Sequence, residues 1–255
     1  MSKKYPLIIA NWKMNLSIKD SVFTAKQLVK EYKKFKNSFE LVLAPSFPAL
    51  QAVGEVLKRS GVILGAQDVF WKSTGPYTGE VSPEVLKELG VSYVIVGHSE
   101  RRQYFGESDV MIQQKVAGVV AANMVPVLCV GETFAQRQIG QKDMVVARQV
   151  NQALDGLTLS GAQKLIIAYE PVWVIGSGQA VEPVEAQHTA QVINRALLDH
   201  FSKKTVDSQI KIIYGGSVDL TNIDSFVHDV PPINGVLVGG ASLEAKRFIS
   251  LLKQI

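Results

Sequence analysis

One cysteine, Cys129, stands among 255 residues, so no internal disulfide can staple the chain and its stability must come from buried apolar surface. A lone cysteine is also what a reducing compartment permits, in keeping with an expected cytoplasmic location. Long apolar runs are missing too. The longest stretch without a charge, residues 116–131, is interrupted by Gly118, Asn123 and Pro126 and falls short of the roughly 20 residues a bilayer span needs. The segment ahead of Lys13 lacks the apolar core and small-residue cleavage site of a secretory signal, so neither a membrane nor an export partner is expected. Neither sign of charge dominates: 27 Lys and Arg stand against 23 Asp and Glu, a net of +4. The basic residues are scattered, and the densest group, beginning at Lys30, shares its helical pattern with Glu31. That reads as a solvated helix face, and no nucleic-acid partner is expected. With 47% of residues hydrophobic and so small a net charge, disorder is excluded.

What is present is an orderly recurrence. Short apolar runs appear at Leu7–Ala10, Leu41–Ala44, Val62–Ala66, Tyr93–Val96, Val125–Val130, Leu165–Tyr169, Ile210–Tyr214 and Val236–Val238. They are continuous instead of alternating, the mark of parallel strands covered on both faces. Helical patterns separate them, opened by cap residues such as Ser17, Ser82 ahead of Pro83, and Ser108. In the first helix Val22, Ala25, Leu28, Val29, Tyr32 and Phe35 fall on one stripe. Eight strand-and-helix units over 255 residues average about 32 residues each, the length of one such unit. The expected fold is α/β, a closed (β/α)8 TIM barrel occupying residues 1–255 as a single domain. An open doubly wound sheet would more naturally carry a Gly-x-Gly-x-x-Gly turn after its first strand, where this chain has Asn11-Trp12-Lys13-Met14-Asn15.

Active sites of such barrels lie at the carboxyl ends of the strands, so the residues just past each run carry the functional signal. The first strand delivers Asn11 and Lys13, the fourth His98 with Ser99, Glu100 and Arg101, the sixth Glu170, the seventh Gly215, Gly216 and Ser217, and the eighth Gly239 and Gly240. Glycine turns after the last two strands let backbone N–H groups approach an anion, and phosphate is the ligand they suggest. Alone, His98 reads first as a core histidine satisfied by a carbonyl, and Glu170 reads equally as a salt-bridged loop glutamate. Together at one rim they read as a proton or hydrogen-bond donor and a general base. Pro171-Val172-Trp173-Val174-Ile175-Gly176-Ser177-Gly178 has stiff ends around an apolar tip and reads as a lid. Cys129 ends an apolar strand and reads as a small buried hydrophobe. His188, His200 and His228 lie on helical patterns without metal-ligand spacing, so no metal and no cofactor is expected.

The segments ANWKMN (10–15), TGE (78–80), GHSERR (97–102), CVGE (129–132), YEPVWVIGSG (169–178), YGGSV (214–218) and GVLVGGASL (235–243) resemble, in order and spacing, those of the triosephosphate isomerase family. The resemblance runs the length of the chain. It implies interconversion of dihydroxyacetone phosphate and D-glyceraldehyde 3-phosphate, a step of glycolysis and gluconeogenesis. It implies Glu170 as the base, His98 as a neutral imidazole bonded to the substrate oxygens, Lys13 as the compensating cation and Asn11 as a further donor. Gly176, Ser217, Gly239 and Gly240 would bind the phosphate, and Glu100 would be auxiliary beside Lys13 and His98. The family likeness further implies a homodimer in which Thr78, flanked by Gly79 and Glu80, enters the neighbouring subunit near Asn11 and Lys13. Val174 and Ser177 stand where this family more usually has Ala and Thr, and GPYTGE replaces the more common GAFTGE. Two rivals remain on the residues alone: a Schiff-base aldolase using Lys13, and a binding protein on the same fold.

Overall fold

Eight parallel strands pair in chain order, and the last returns to the first, so the sheet closes. The structure, a computed structural model, describes residues 5–35, 38–176 and 179–255. The strands are β1 (Leu7–Asn11), β2 (Glu40–Ala44), β3 (Ile63–Ala66), β4 (Tyr93–Val96), β5 (Val125–Val130), β6 (Leu165–Tyr169), β7 (Ile210–Tyr214) and β8 (Ile233–Val238). Their continuous apolar character has a direct cause, since both faces of each strand are buried. One set of side chains, including Leu7, Ile9, Val42, Tyr93, Ile95, Val127, Cys129, Ile166, Ile213 and Leu237, packs together with no helix residue among it and fills the barrel interior. The alternate set, with Ile8, Ala10, Leu41, Leu43, Val94 and Leu128, packs with Leu28, Val53, Val116 and Ile193 from the surrounding helices. Cys129 lies in the inner set, and burial pushes its thiol well up, so it packs as a small apolar residue.

Between the strands run α1 (Ile18–Tyr32), α2 (Phe47–Leu57), α3 (Pro83–Glu88), α4 (Ser99–Phe105), α5 (Asp109–Ala121), α6 (Phe134–Gln138), α7 (Lys142–Leu154), α8 (Pro183–His200) and α9 (Lys203–Gln209), and α10 (Ala245–Leu252) follows β8. Ser17 caps α1 by accepting from the Asp20 N–H, and Ser108 caps α5 in the same way from Met111, as their positions predict. No helix among the described residues is long and apolar enough to cross a membrane.

Two expectations need correction. One helix per strand does not hold, because β4, β5 and β6 are each followed by two helices, while β7 and β8 are joined by a single π-helical turn at Ser225–Asp229. The side chain of Asp219 bonds the N–H and hydroxyl of Thr221, and Pro231 with Pro232 bars further helix ahead of β8. The eighth strand also begins at Ile233, ahead of the Val236 expected from sequence. The Asn234-Gly235 pair reads as a turn, yet the β7–β8 register shifts between Ile212/Ile233 and Tyr214/Val236, so the extra residue is absorbed in a bulge. Gly235, at φ +138°, fits because a Cβ there would lie 2.0 Å from the Leu7 carbonyl oxygen.

The long third connection is rooted by buried charge. Lys115 on α5 donates to Asp68 at 2.7 Å and to Glu107, and Arg101 bonds Glu107 and lies 2.9 Å from Asp68. Burial pushes the Asp68 carboxyl up against the pull of Lys115. Burial also acts on Glu107, but bonds from Lys115 and Arg101 outweigh it and hold that carboxyl below the usual range. Removing one partner of such a group leaves uncompensated buried charge. Lys115→Met is therefore expected to destabilise the fold by about 3–5 kcal/mol, read as a lowered midpoint of urea unfolding.

Candidate active site

Past the carboxyl end of β1, Lys13 adopts φ +52°, a left-handed conformation costly for any residue with a Cβ. Neighbouring bonds hold it there. The Asn11 Oδ1 accepts from the Lys13 N–H at 3.0 Å, and the Gln67 amide donates to the Lys13 carbonyl at 2.8 Å and to the Ala44 carbonyl at 2.9 Å. The Lys13 ammonium then reaches the Glu100 carboxylate at 2.6 Å. Its Cε lies close enough to Gly239 that a Cβ on that glycine would stand at 3.3 Å.

His98 is the N-cap of α4, and its Nδ1 accepts from the Glu100 N–H at 3.2 Å. A nitrogen that accepts carries no proton, so the proton of a neutral ring sits on Nε2. That Nε2 is 3.2 Å from Oε1 of Glu170. Glu170 is 2% exposed. Its backbone N–H donates to the Val130 carbonyl at 2.7 Å, and its Oε2 accepts from the Ser99 N–H at 3.0 Å. The other oxygen, Oε1, is buried without a hydrogen-bond partner, which makes it an unsatisfied acceptor aimed at the site. A Cβ on Gly215 would come within 2.9 Å of the Glu170 Cγ, so the first glycine of the seventh turn gives the carboxylate its room.

The rim thus brings together Lys13, Asn11, His98, Glu100 and Glu170, with Gly215 packed against Glu170 and Gly239 against Lys13. Ser217 stands partly buried past β7, and Gly240 opens a 3-10 turn at Gly240–Ser242 past β8. Gly176 stands apart. It is exposed at φ +75°, with nothing within 4 Å of the position its Cβ would take. The start of the lid is held by residues that follow β5: the Trp173 indole N–H donates to Glu132 at 2.9 Å, and the Arg137 guanidinium lies 4.6 Å from the Trp173 ring centroid. Beyond it, the Val181 N–H reaches the Tyr214 hydroxyl at 3.4 Å. Pro171 and Val174 are buried, Val172 and Ile175 half-buried, and Ser177 and Gly178 lie outside the described residues. Thr78, Gly79 and Glu80 are all exposed at the tip of the third connection. No metal-holding cluster of His, Cys, Asp or Glu occurs among the described residues.

Sequence reasoning missed Gln67, Glu132 and the Ser99 N–H. The rule of reading past strand ends, applied to β3 and β5, points to the first two. A backbone N–H carries no residue-specific signal.

Known proteins match the chain over nearly its whole length. The family profile described as Triosephosphate isomerase matches residues 6–255. A triosephosphate isomerase of Thermoanaerobacter sp. (strain X514) is 41% identical over 247 residues, covering 97% of this chain and 98% of that protein. Another from Carboxydothermus hydrogenoformans is 42% identical over 248 residues, with the same coverage. The crystal structure of triosephosphate isomerase from Bartonella henselae superposes with a TM-score of 0.86 at 32% identity, covering 98% of each chain.

Because Gly215 leaves no space for a Cβ beside Glu170, Gly215→Ala is expected to turn the carboxylate away from Ser99 while the barrel persists. The Ser99 amide should then exchange with solvent deuterium faster than in the parent, read by NMR or mass spectrometry.

Proposed function

The chain belongs to the triosephosphate isomerase family and interconverts dihydroxyacetone phosphate and D-glyceraldehyde 3-phosphate; on that premise we propose that Glu170, His98 and Lys13 carry the reaction. In this reading a carboxylate oxygen of Glu170 takes the proton from the carbon beside the substrate carbonyl. The C–H electron pair becomes the carbon–carbon double bond, and the carbonyl π pair moves onto oxygen, giving a cis-enediol(ate). The same carboxyl group returns its proton to the former carbonyl carbon, the hydroxyl proton passes from the first oxygen to the second, and the new carbonyl forms on the carbon that first lost its proton. His98 donates from Nε2 to the substrate oxygens as a neutral imidazole at a helix start, an arrangement for which this family is known. Lys13 offsets the negative charge of substrate and intermediate, and Asn11 adds a donor. Glu100 holds the Lys13 ammonium and, through its N–H, the His98 ring.

The observation that carries this assignment is the buried, unpartnered Glu170 Oε1 beside the His98 Nε2. Backbone N–H groups of Gly176, Ser217, Gly239 and Gly240 would take the phosphate, with Gly176 arriving as the lid closes and water is excluded. The Schiff-base aldolase reading loses ground because Lys13 is ion-paired with Glu100, whereas imine formation needs a neutral amine in apolar surroundings. Glycolysis and gluconeogenesis supply the triose phosphates, and the cytoplasm is the compartment proposed.

A homodimer is part of the same proposal. Thr78, Gly79 and Glu80 are exposed, as are Met14 (95%), Phe105 (67%) and Val85 (48%). Large apolar side chains left in water suit a second copy of the chain, with Thr78 entering beside the partner's Asn11 and the partner's Lys13.

Glu170→Gln is expected to lower kcat by about 10²–10⁴-fold while the fold is kept, in a coupled assay with both triose phosphates; a variant with parental turnover removes Glu170 as the base. Sedimentation at micromolar concentration should give a dimer, and Thr78→Arg should give monomers of reduced activity. A parent chain sedimenting as a monomer contradicts the role given to Thr78.

A further inference from the structure

Behind Glu170 lies a ledge formed by residues 130–132. The Glu170 N–H donates to the Val130 carbonyl at 2.7 Å, and the N–H of Val172, inside the lid, donates to the Glu132 carbonyl at 3.1 Å. Gly131 stands between these two bonds. Its Cα approaches the Glu170 backbone so closely that a Cβ would lie 1.8 Å from the Glu170 carbonyl oxygen. Any shift of this ledge therefore moves the base and the start of the lid together.

One side chain holds the ledge from the far side. Gln149 on α7 accepts from the Gly131 N–H at 2.8 Å through Oε1 and donates from Nε2 to the Gly131 carbonyl at 3.2 Å. It is buried in a helix face otherwise made of Val145, Val146, Val150, Ala153 and Leu154. A primary amide offers a donor and an acceptor to one residue's backbone at once, and an apolar residue would leave both Gly131 groups unpaired. A polar residue in so apolar a face is costly unless those bonds are made.

We propose that Gln149 is a positioning residue for the isomerase reaction, fixing Glu170 and the lid start through Gly131 without touching the substrate. The inference rests on the reading of Glu170 as the base. Three of the four groups assigned to phosphate, Ser217, Gly239 and Gly240, lie past β7 and β8 and outside the lid, so Gln149 bears on the chemical step more than on binding.

In Gln149→Leu, kcat should fall tens-fold to about 100-fold, the scale expected for a small misplacement of a reacting group, with KM for D-glyceraldehyde 3-phosphate held within about twofold. Leu154→Ala, a cavity in the same helix with no bond to the ledge, should lower the melting temperature and leave kcat at the parental value. Gln149→Glu keeps the acceptor for the Gly131 N–H, but it donates to the carbonyl only when protonated. Its kcat should fall as pH rises through the titration of the introduced carboxyl, an alkaline limb absent from the parent. Parental kcat in folded Gln149→Leu overturns the proposal, as does an equal loss of kcat in Leu154→Ala at matched stability. Should Gln149→Leu fail to fold, a Gln149→Glu profile identical to the parent's overturns it instead. Inactive Glu170→Gln beside parental Gln149→Leu defeats this inference alone, whereas active Glu170→Gln defeats the reading beneath it.

Discussion

Hydrogen bonds between β8 and β1 join the last strand to the first, and with no free edge left, all eight strands end at one rim. Parallel pairing gives every strand the same direction, so residues just past each carboxyl end converge wherever they lie in the chain. That closure places Lys13 beside Glu100 and Ser99 beside Glu170. It also dictates composition, because strands covered on both faces cannot alternate polar with apolar side chains. Gly235 is part of the same constraint, since at its pairing with Leu7 a Cβ would lie 2.0 Å from the Leu7 carbonyl oxygen.

At the rim, charge is arranged so that the base is held without being satisfied. One oxygen of Glu170 accepts from the Ser99 N–H, and the other is buried with no well-formed hydrogen bond, the His98 Nε2 standing 3.2 Å away. A second bond to that oxygen would fix the group more firmly and make it a weaker acceptor for a substrate proton. The imidazole beside it is set by the start of α4, whose Glu100 N–H occupies Nδ1 and leaves Nε2 to donate. Strain at Lys13 belongs to the same arrangement, maintained by Asn11 and Gln67. Such a conformation persists only when its surroundings over-determine it.

Much of this was legible in the sequence. Seven strands follow their apolar runs to within one residue at either end, because burial on both faces writes itself directly into composition. Lys13, His98, Glu100 and Glu170 follow from the rule that barrel chemistry lies past strand ends. Other features were not legible. The bulge at Asn234-Gly235 belongs to the pairing of β8 with β7, and the close approach of Leu7 comes from the far end of the chain, so neither is local to the pair. Doubled helices after β4, β5 and β6 went unread because the short helices at Ser99–Phe105, Phe134–Gln138 and Lys203–Gln209 are too brief to show an apolar stripe. Gln149 reads as one polar residue on an amphipathic helix until Gly131 is seen behind it.

By itself, the sequence determined the class of fold, the kinds of chemical group at the rim and the family to which the chain is related. These depend on apolar periodicity and on side-chain chemistry, both local properties. Only the tertiary structure decided which oxygen of Glu170 is left open and how Gln67 helps to hold Lys13 in its strained conformation. Those outcomes depend on hydrogen bonds between residues 71 positions apart for Ser99 and Glu170 and 54 apart for Gln67 and Lys13. A partner at such a separation leaves no mark on the local pattern, since it is chosen by how the strands close and not by neighbours along the chain.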